Sequence, residues 1–164
     1  MEIEPVTAYL GLGSNLGERR GNLERALGFL SQRLRLEKVS SIYDSEPVGN
    51  VEQPRFLNMA CQASTTLSPA ALLALAKGIE AKMGRTGGSG DPRLIDIDIL
   101  FYGGQVIKTP ELVVPHPRLT ERAFVLVPLV EIAPELVHPV EGKTVKELLD
   151  ALKEVQGVFK WEGN

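Results

Sequence analysis

Two aspartates one residue apart, Asp96 and Asp98, stand in the run Pro92-Arg93-Leu94-Ile95-Asp96-Ile97-Asp98-Ile99-Leu100-Phe101. Ile95, Ile97, Ile99 and Phe101 alternate with them, which is the period-two signature of a half-buried strand. Side chains at i and i+2 leave a strand on one face, so the two carboxylates stand roughly 7 Å apart. At an effective dielectric near ~20 their repulsion is about 2 kcal/mol, and Arg93 alone is close enough in sequence to offset it. A divalent cation between them reverses the sign. Carboxylate oxygens suit Mg²⁺, which completes its shell with water and phosphate oxygens. A solvated strand edge bearing two charges accounts for Asp-Ile-Asp equally well, so the decision falls to the rest of the chain.

The loop Gly84-Arg85-Thr86-Gly87-Gly88-Ser89-Gly90-Asp91-Pro92-Arg93 carries an arginine at each end and feeds the aspartate strand. Arginines so placed can grip phosphate oxygens bidentately while the aspartates hold a metal that the same phosphates share. Two surface arginines paired with carboxylates is the plainer reading, and the closeness of basic and acidic elements weakens it. His116, fixed between Pro115 and Pro117, can donate to a phosphate whether neutral or charged, although a lone histidine is usually structural. Phe56 and Asn58 share the non-core side of a strand from Phe56 to Thr65. A ring and a carboxamide there can stack on and hydrogen-bond a flat heterocycle, or the ring can simply lie under the preceding loop. Phe124 can supply a second aromatic face or belong to the core. Lys77, Glu80 and Gly84 fall on one helical stripe at i, i+3 and i+7, by itself an ordinary solvated surface.

Elements to position these groups are readable. Val6 to Leu12 is a first strand, with Ala8, Leu10 and Leu12 on one face and Thr7 and Tyr9 on the other. It runs into Gly11-Leu12-Gly13-Ser14-Asn15-Leu16-Gly17, which matches neither a dinucleotide fingerprint nor a P-loop and reads as a tight strand-to-helix turn. Leu23, Ala26, Leu27, Leu30 and Leu34 form the core stripe of an amphipathic helix. Val39 to Tyr43 is a short strand. The segment from Ser45 to Pro54, with two prolines and a glycine, is a loop long enough to bind or move. In the strand from Phe56 to Thr65, Leu57, Met59, Cys61 and Ala63 face the core. Ser68-Pro69 opens a helix that Gly84 closes, packed through Leu72, Leu73, Leu75, Ala76, Ile79 and Met83. Phe101 to Gln105 reads as a hairpin turn into a strand from Val106 to Lys108. Val125 to Ile132 is apolar and broken at Pro128. Thr144 and Glu147 make a capping box for a last helix through Leu148, Leu149, Leu152 and Val155.

A chain of 164 residues, 43% apolar and 24% charged, fits one domain over 1–164 with a proper core. The formal net charge of −3 argues against a general nucleic-acid binder, so any phosphate-binding charge is local. The single cysteine, Cys61, excludes an internal disulfide and a cysteine-based metal site. No apolar run reaches membrane-spanning length and no basic-then-apolar leader opens the sequence, so the expectation is a cytoplasmic protein with no membrane partner.

Taken together, these residues resemble the 6-hydroxymethyl-7,8-dihydropterin pyrophosphokinases of folate biosynthesis, from about Val6 to Pro139. The motifs are Gly13-Ser14-Asn15-Leu16-Gly17, Glu46-Pro47-Val48-Gly49, Phe56-Leu57-Asn58, Gly84-Arg85, Pro92 to Ile99, Val114-Pro115-His116-Pro117-Arg118, Arg122-Ala123-Phe124 and Glu131-Ile132-Ala133-Pro134-Glu135. Any one is weak, but in this order and spacing they are highly specific. The resemblance implies transfer of the terminal pyrophosphoryl group of ATP to the pterin's hydroxymethyl oxygen, releasing AMP. It implies two Mg²⁺ ions on Asp96 and Asp98, and catalytic roles for Arg85, Arg93 and His116 beside them. Lys77, Glu80, Ile99 and Arg122 join Arg85, Arg93 and His116 as ATP-binding positions. Phe56 and Phe124 match the rings that sandwich the pterin, with Ser45, Pro47, Val48, Asn58 and Asp96 along its edge. In well-known members the loop between the arginines carries further arginines and a tryptophan, where this chain has Gly87, Gly88, Ser89 and Gly90.

The expected architecture is α+β: a ferredoxin-like βαββαβ core, an antiparallel sheet with helices on one face, and a C-terminal helical extension, working as a monomer. A non-catalytic ferredoxin-like module that binds a ligand or a metal is the alternative. Such a module has no need of arginines at both ends of the loop that feeds an aspartate pair.

Overall fold

The computed structural model describes residues 4–45, 55–84, 94–152 and 157–161. The first half of the chain supplies β1 (Val6–Ser14), α1 (Arg19–Ser31), β2 (Arg35–Val39), β3 (Tyr43–Ser45), β4 (Phe56–Thr65), α2 (Pro69–Lys82) and β5 (Asp96–Tyr102). Then come β6 (Ile107–Lys108), β7 (Val113–Val114), a 3-10 turn (Leu119–Glu121), α3 (Ala123–Ile132), α4 (Val145–Asp150) and β8 (Val158–Lys160). The main sheet runs β5-β1-β4-β3-β8, with β2 also on β4, and all its pairings are antiparallel. With β2 and β3 taken as halves of one strand, this is the ferredoxin-like order.

Alternation decides what each face of the sheet carries. Ala8, Leu10 and Leu12 of β1, Leu57, Met59, Cys61 and Ala63 of β4, and Ile97 and Ile99 of β5 form one buried layer under α1 and α2. The helices answer it with Leu23, Ala26 and Leu30, and with Leu72, Ala76 and Ile79. Fully burying one such leucine contributes roughly 1.5–3 kcal/mol. The caps are those expected: Ser68 Oγ accepts from the Ala71 N–H at 3.1 Å, Pro69 opens the first turn of α2, and Gly84 leaves it at φ +91°.

The opposite face is divided. Its lower part, Tyr9, Ala60, Leu100 and Phe101, lies under α3 and α4 in a second core with Leu126, Leu129, Val145 and Leu148. That half belongs to the C-terminal extension, and the remaining half is left to polar residues and glycines.

The last helix, α4, ends at Asp150, short of Leu152, and Val155 lies outside the described residues. Five further details depart from the sequence reading. Tyr9 pairs with Phe101 but Leu10 with Ile99, so Leu100 is a bulge, and Leu100 and Phe101 both enter the second core. Phe101 therefore does not continue the Ile95-Ile97-Ile99 face; the extra residue inverts the alternation. The strand expected from Val39 to Tyr43 is split into β2 and β3 at Ser40, whose Oγ accepts from the Ala60 N–H at 2.9 Å in place of a ladder carbonyl. β6 pairs with β7 rather than folding back on β5. α3 continues through Pro128, its lost N–H tolerated within a helix buried along one side. Finally, β8 adds a strand to the free edge of β3, too short to leave a periodic signal in the sequence.

Candidate active site

The polar half of the sheet is built by register. Gly13 pairs with Asp96 on one side and with Asn58 on the other, and Asn58 pairs with Tyr43. Gly11 likewise lies between Asp98 and Ala60. Paired residues send their side chains to the same face, so Asp96, Gly13 and Asn58 form one row across three strands. Phe56 and Ser45, also mutually paired, lie beside it. Asp96 is half-buried and Asp98 exposed, while Ile97 between them is in the core. The two carboxylates thus share a face, as their spacing requires. Among the described residues no group of three or more His, Cys, Asp or Glu side chains is assembled to hold a metal. The donor set of two carboxylates fits a hard cation whose remaining ligands come from water and phosphate.

Gly11 and Gly13 are therefore strand residues, not part of a turn. β1 ends at Ser14, and the turn proper follows, with Gly17 at φ +69°. Buried Asn22 of α1 fastens it, donating through Nδ2 to Ser14 Oγ at 3.2 Å and to the Leu16 carbonyl at 2.9 Å. Signal for the glycines' true place existed: they continue the parity of Thr7 and Tyr9 on the non-core face.

At the site, Asn58 is buried and its Nδ2 donates to Ser45 Oγ at 2.6 Å. That bond turns Oδ1 toward β1, where a Cβ placed on Gly13 would come within 2.9 Å of Oδ1 and 3.6 Å of the Phe56 ring. The carboxamide lies across the space that glycine leaves.

β5 is an edge strand, and its outer side is held by two groups from elsewhere. Glu80 of α2, only 2% exposed, accepts from the Ile97 N–H through Oε2 at 2.8 Å, and its Oε1 lies 3.7 Å from the exposed Lys77 ammonium. The peptide between the two aspartates is thus fixed by a buried carboxylate. Further along, the bulged Leu100 offers its carbonyl to the His116 N–H at 3.1 Å. The same bulge that inverts the strand anchors the histidine loop beside it, and these ties occupy the edge on which a β5–β6 hairpin would have formed.

His116 is half-buried, and its Nδ1 faces the Arg118 N–H at 3.4 Å. Burial first, then Arg122 and Arg118, hold its imidazole below the ordinary histidine range. Arg122 feels Asp98 as well as Arg118, so basic loop and acidic strand meet here. The Arg122 guanidinium lies 5.5 Å from the centre of the Phe124 ring, which opens α3. Pro128 has no N–H to give the Phe124 carbonyl one helical turn back. α3 is tied to the sheet by Glu131, which accepts from Tyr43 Oη at 2.6 Å and from the Ser41 N–H at 2.9 Å. Burial and that carboxylate push the Tyr43 phenol up to about 12.

Of the residues singled out from sequence, Ser45, Phe56, Asn58 and Asp96 share one face of neighbouring strands, with Asp98, His116 and Arg122 grouped at the β5 edge. Phe124 stands next to Arg122. The Ile99 side chain is in the first core, so only its main chain can face a ligand. Lys77 and Glu80 reach the site from behind the β5 edge. Arg85, Arg93, Pro47 and Val48 lie outside the described residues. Sequence reading missed the anchoring use of Glu80, because a buried carboxylate on an otherwise polar helical stripe looks like solvated surface.

Residues 9–134 match the family model described as 7,8-dihydro-6-hydroxymethylpterin-pyrophosphokinase. The 2-amino-4-hydroxy-6-hydroxymethyldihydropteridine pyrophosphokinase of Aquifex aeolicus is 44% identical over 143 residues, covering 87% of this chain and 89% of the relative. Its namesake from Bacillus subtilis is 42% identical over 158 residues, covering 94% and 90%. Among solved structures, wild-type Plasmodium falciparum HPPK-DHPS superposes with a TM-score of 0.74 at 19% identity, covering 91% of this chain. The present chain spans only 44% of that longer one, and at such identity the likeness speaks for the fold alone. Matched by the family model over most of its length and by relatives more than two-fifths identical, the chain belongs to the 7,8-dihydro-6-hydroxymethylpterin-pyrophosphokinase family.

Proposed function

We propose that this protein transfers the terminal pyrophosphoryl group of ATP to the hydroxymethyl oxygen of 6-hydroxymethyl-7,8-dihydropterin, as a single cytoplasmic domain acting as a monomer in folate biosynthesis. The observation that supports the reading is the row Asp96–Gly13–Asn58, which sets a carboxylate and a carboxamide on one sheet face, on either side of β1. A bond forms from the alcohol oxygen to the β-phosphorus, the bond from that phosphorus to the oxygen bridging it to the α-phosphorus breaks, AMP leaves, and the hydroxyl proton is lost.

Asp96 and Asp98 would hold two Mg²⁺ ions; such ions, when bound, neutralise triphosphate charge and acidify the attacking alcohol. Around them the chain's own groups orient the reactants. His116 and Arg122 donate to phosphate oxygens. Arg85 and Arg93, at the two ends of the segment joining α2 to β5, clamp the same oxygens as charge shifts toward the leaving AMP. Lys77, Glu80 and the Ile99 main chain line the nucleotide side. Phe56 and Phe124 stack the pterin, while Asn58, Ser45, Pro47 and Val48 read its edge and Asp96 meets its hydroxymethyl end. Stacking and edge contacts fix the alcohol in line with the β-phosphorus, which is where most of the acceleration in phosphoryl-type transfer originates.

The test is the nucleotide product. Protein, ATP, Mg²⁺ and the pterin should yield AMP and a pterin diphosphate in equal amounts, and omitting the pterin should stop turnover. ADP in place of AMP would overturn the reading.

A further inference from the structure

We propose that Gly13 is a positioning residue for substrate recognition: its missing side chain lets the Asn58 carboxamide lie across β1, beside Phe56 and toward Asp96. The inference rests on the pterin site proposed above and assigns a role to a glycine that otherwise looks like part of a turn.

The geometry makes a specific demand. Gly13 is flanked by Asp96 and Asn58 in the sheet register, and a Cβ on it would come within 2.9 Å of Asn58 Oδ1, closer than side chains tolerate. No positive φ is involved at Gly13, so backbone conformation does not explain the glycine. The next obstacle, the Phe56 ring at 3.6 Å, is an ordinary contact. A methyl group here therefore meets the end of one side chain, and that carboxamide is what must yield. It cannot yield freely, because Nδ2 is held by Ser45 Oγ at 2.6 Å. Moving Oδ1 away breaks that bond or swings the amide off the face that carries Phe56 and Asp96. The fold loses little, whereas a ligand that must reach Asn58 and Asp96 together loses its register. Gly11, one row along, differs: the atoms nearest a Cβ there all belong to the Leu100 side chain, at 3.4–3.6 Å.

The experiment compares wild type, Gly13→Ala, Asn58→Ala and the double variant in steady-state assays, varying pterin and ATP separately. For Gly13→Ala the KM for the pterin should rise about tenfold, as for one misplaced hydrogen bond, with the KM for ATP nearly unchanged and the Tm lowered by no more than the few degrees that loss of the Asn58–Ser45 bond would cost. The double variant should have the pterin KM of Asn58→Ala alone, since the group that the methyl displaces is already gone. An unchanged pterin KM in Gly13→Ala, an equal rise in both KM values, or independent multiplying effects in the double variant would overturn the inference. If Gly13→Ala fails to fold, the double variant should fold, and equal misfolding of both would also overturn it. A wild type that shows no saturable dependence on the pterin would instead overturn the site reading beneath it.

Discussion

Asp96 and Asp98 leave β5 on the side away from the Ile97 and Ile99 core, so replacing either with alanine removes charge without removing packing. Asp96→Ala and Asp98→Ala should each lower turnover by about three orders of magnitude or more, with circular dichroism and Tm near wild type. Gross unfolding would contradict their placement. His116 gives a second, independent check. Burial and the neighbouring Arg122 and Arg118 depress its pKa in the free protein, so the ring is neutral near pH 7. A bound triphosphate reverses that electrostatic balance and raises the pKa. Proton uptake then accompanies binding, and affinity strengthens as pH falls through the pKa of the complex. NMR titration of the His116 ring with and without Mg²⁺ and a non-hydrolysable ATP analogue should show the midpoint moving up; an unmoved or lowered midpoint would count against the phosphate contact. Cys61, by contrast, is fully buried with its thiol pushed up to about 12, and should stay unreactive to thiol reagents in the native state.

Among the elements, β5 has the largest share of the design, because it is an edge strand that must hold two like charges still. Glu80 supplies one restraint from α2 and His116 the other from the loop after β7. Glu80→Ala leaves the buried Ile97 N–H without its acceptor and should cost about 1–3 kcal/mol in urea unfolding. Glu80→Gln, which keeps an acceptor, should recover part of that loss, and equal behaviour of the two variants would refute the restraint. How much of this was legible follows from the range of each signal. The α1 and α2 stripes, the Ser68 cap and the Thr144–Glu147 capping box are local and periodic, and each is present. The face shared by Phe56 and Asn58, and that shared by Asp96 and Asp98, follow from period two alone. The bulge at Leu100, the split at Ser40 and the pairing of β8 with β3 depend on partners distant in sequence, which no local pattern encodes. Gly13 belongs with these: glycine signals a turn locally, and only the neighbouring strands bring it against Asn58, whose Oδ1 a Cβ would meet at 2.9 Å.

Across the whole molecule, the sheet separates stability from chemistry. One face is continuous core; the other is core beneath α3 and α4 and, beyond them, carries Gly13, Asn58, Asp96 and Asp98 of the candidate site. His138 belongs to the stabilising part. It is buried against Phe101 at a centroid distance of 5.7 Å, and its Nδ1 accepts from the Val140 and Glu141 N–H groups at 3.2 and 3.1 Å. Those bonds need an unprotonated Nδ1, and burial lowers its pKa against a smaller opposing pull from Glu141. With His116 and His138 both depressed, the unfolded chain holds more protons from about pH 6.5 down to the folded-state values, so stability rises with pH in that window. The urea midpoint should thus fall on going from about pH 7.5 to 5.5, and a rise would refute the assignment. The central claim, that the aspartate face holds a metal-bound triphosphate, is tested most directly by calorimetric titration of a non-hydrolysable ATP analogue into wild type and Asp98→Asn, with and without Mg²⁺. Tight binding only for wild type with Mg²⁺, and loss of that Mg²⁺ dependence in the variant, is the expected result. Equal Mg²⁺-dependent affinity in both proteins would contradict it.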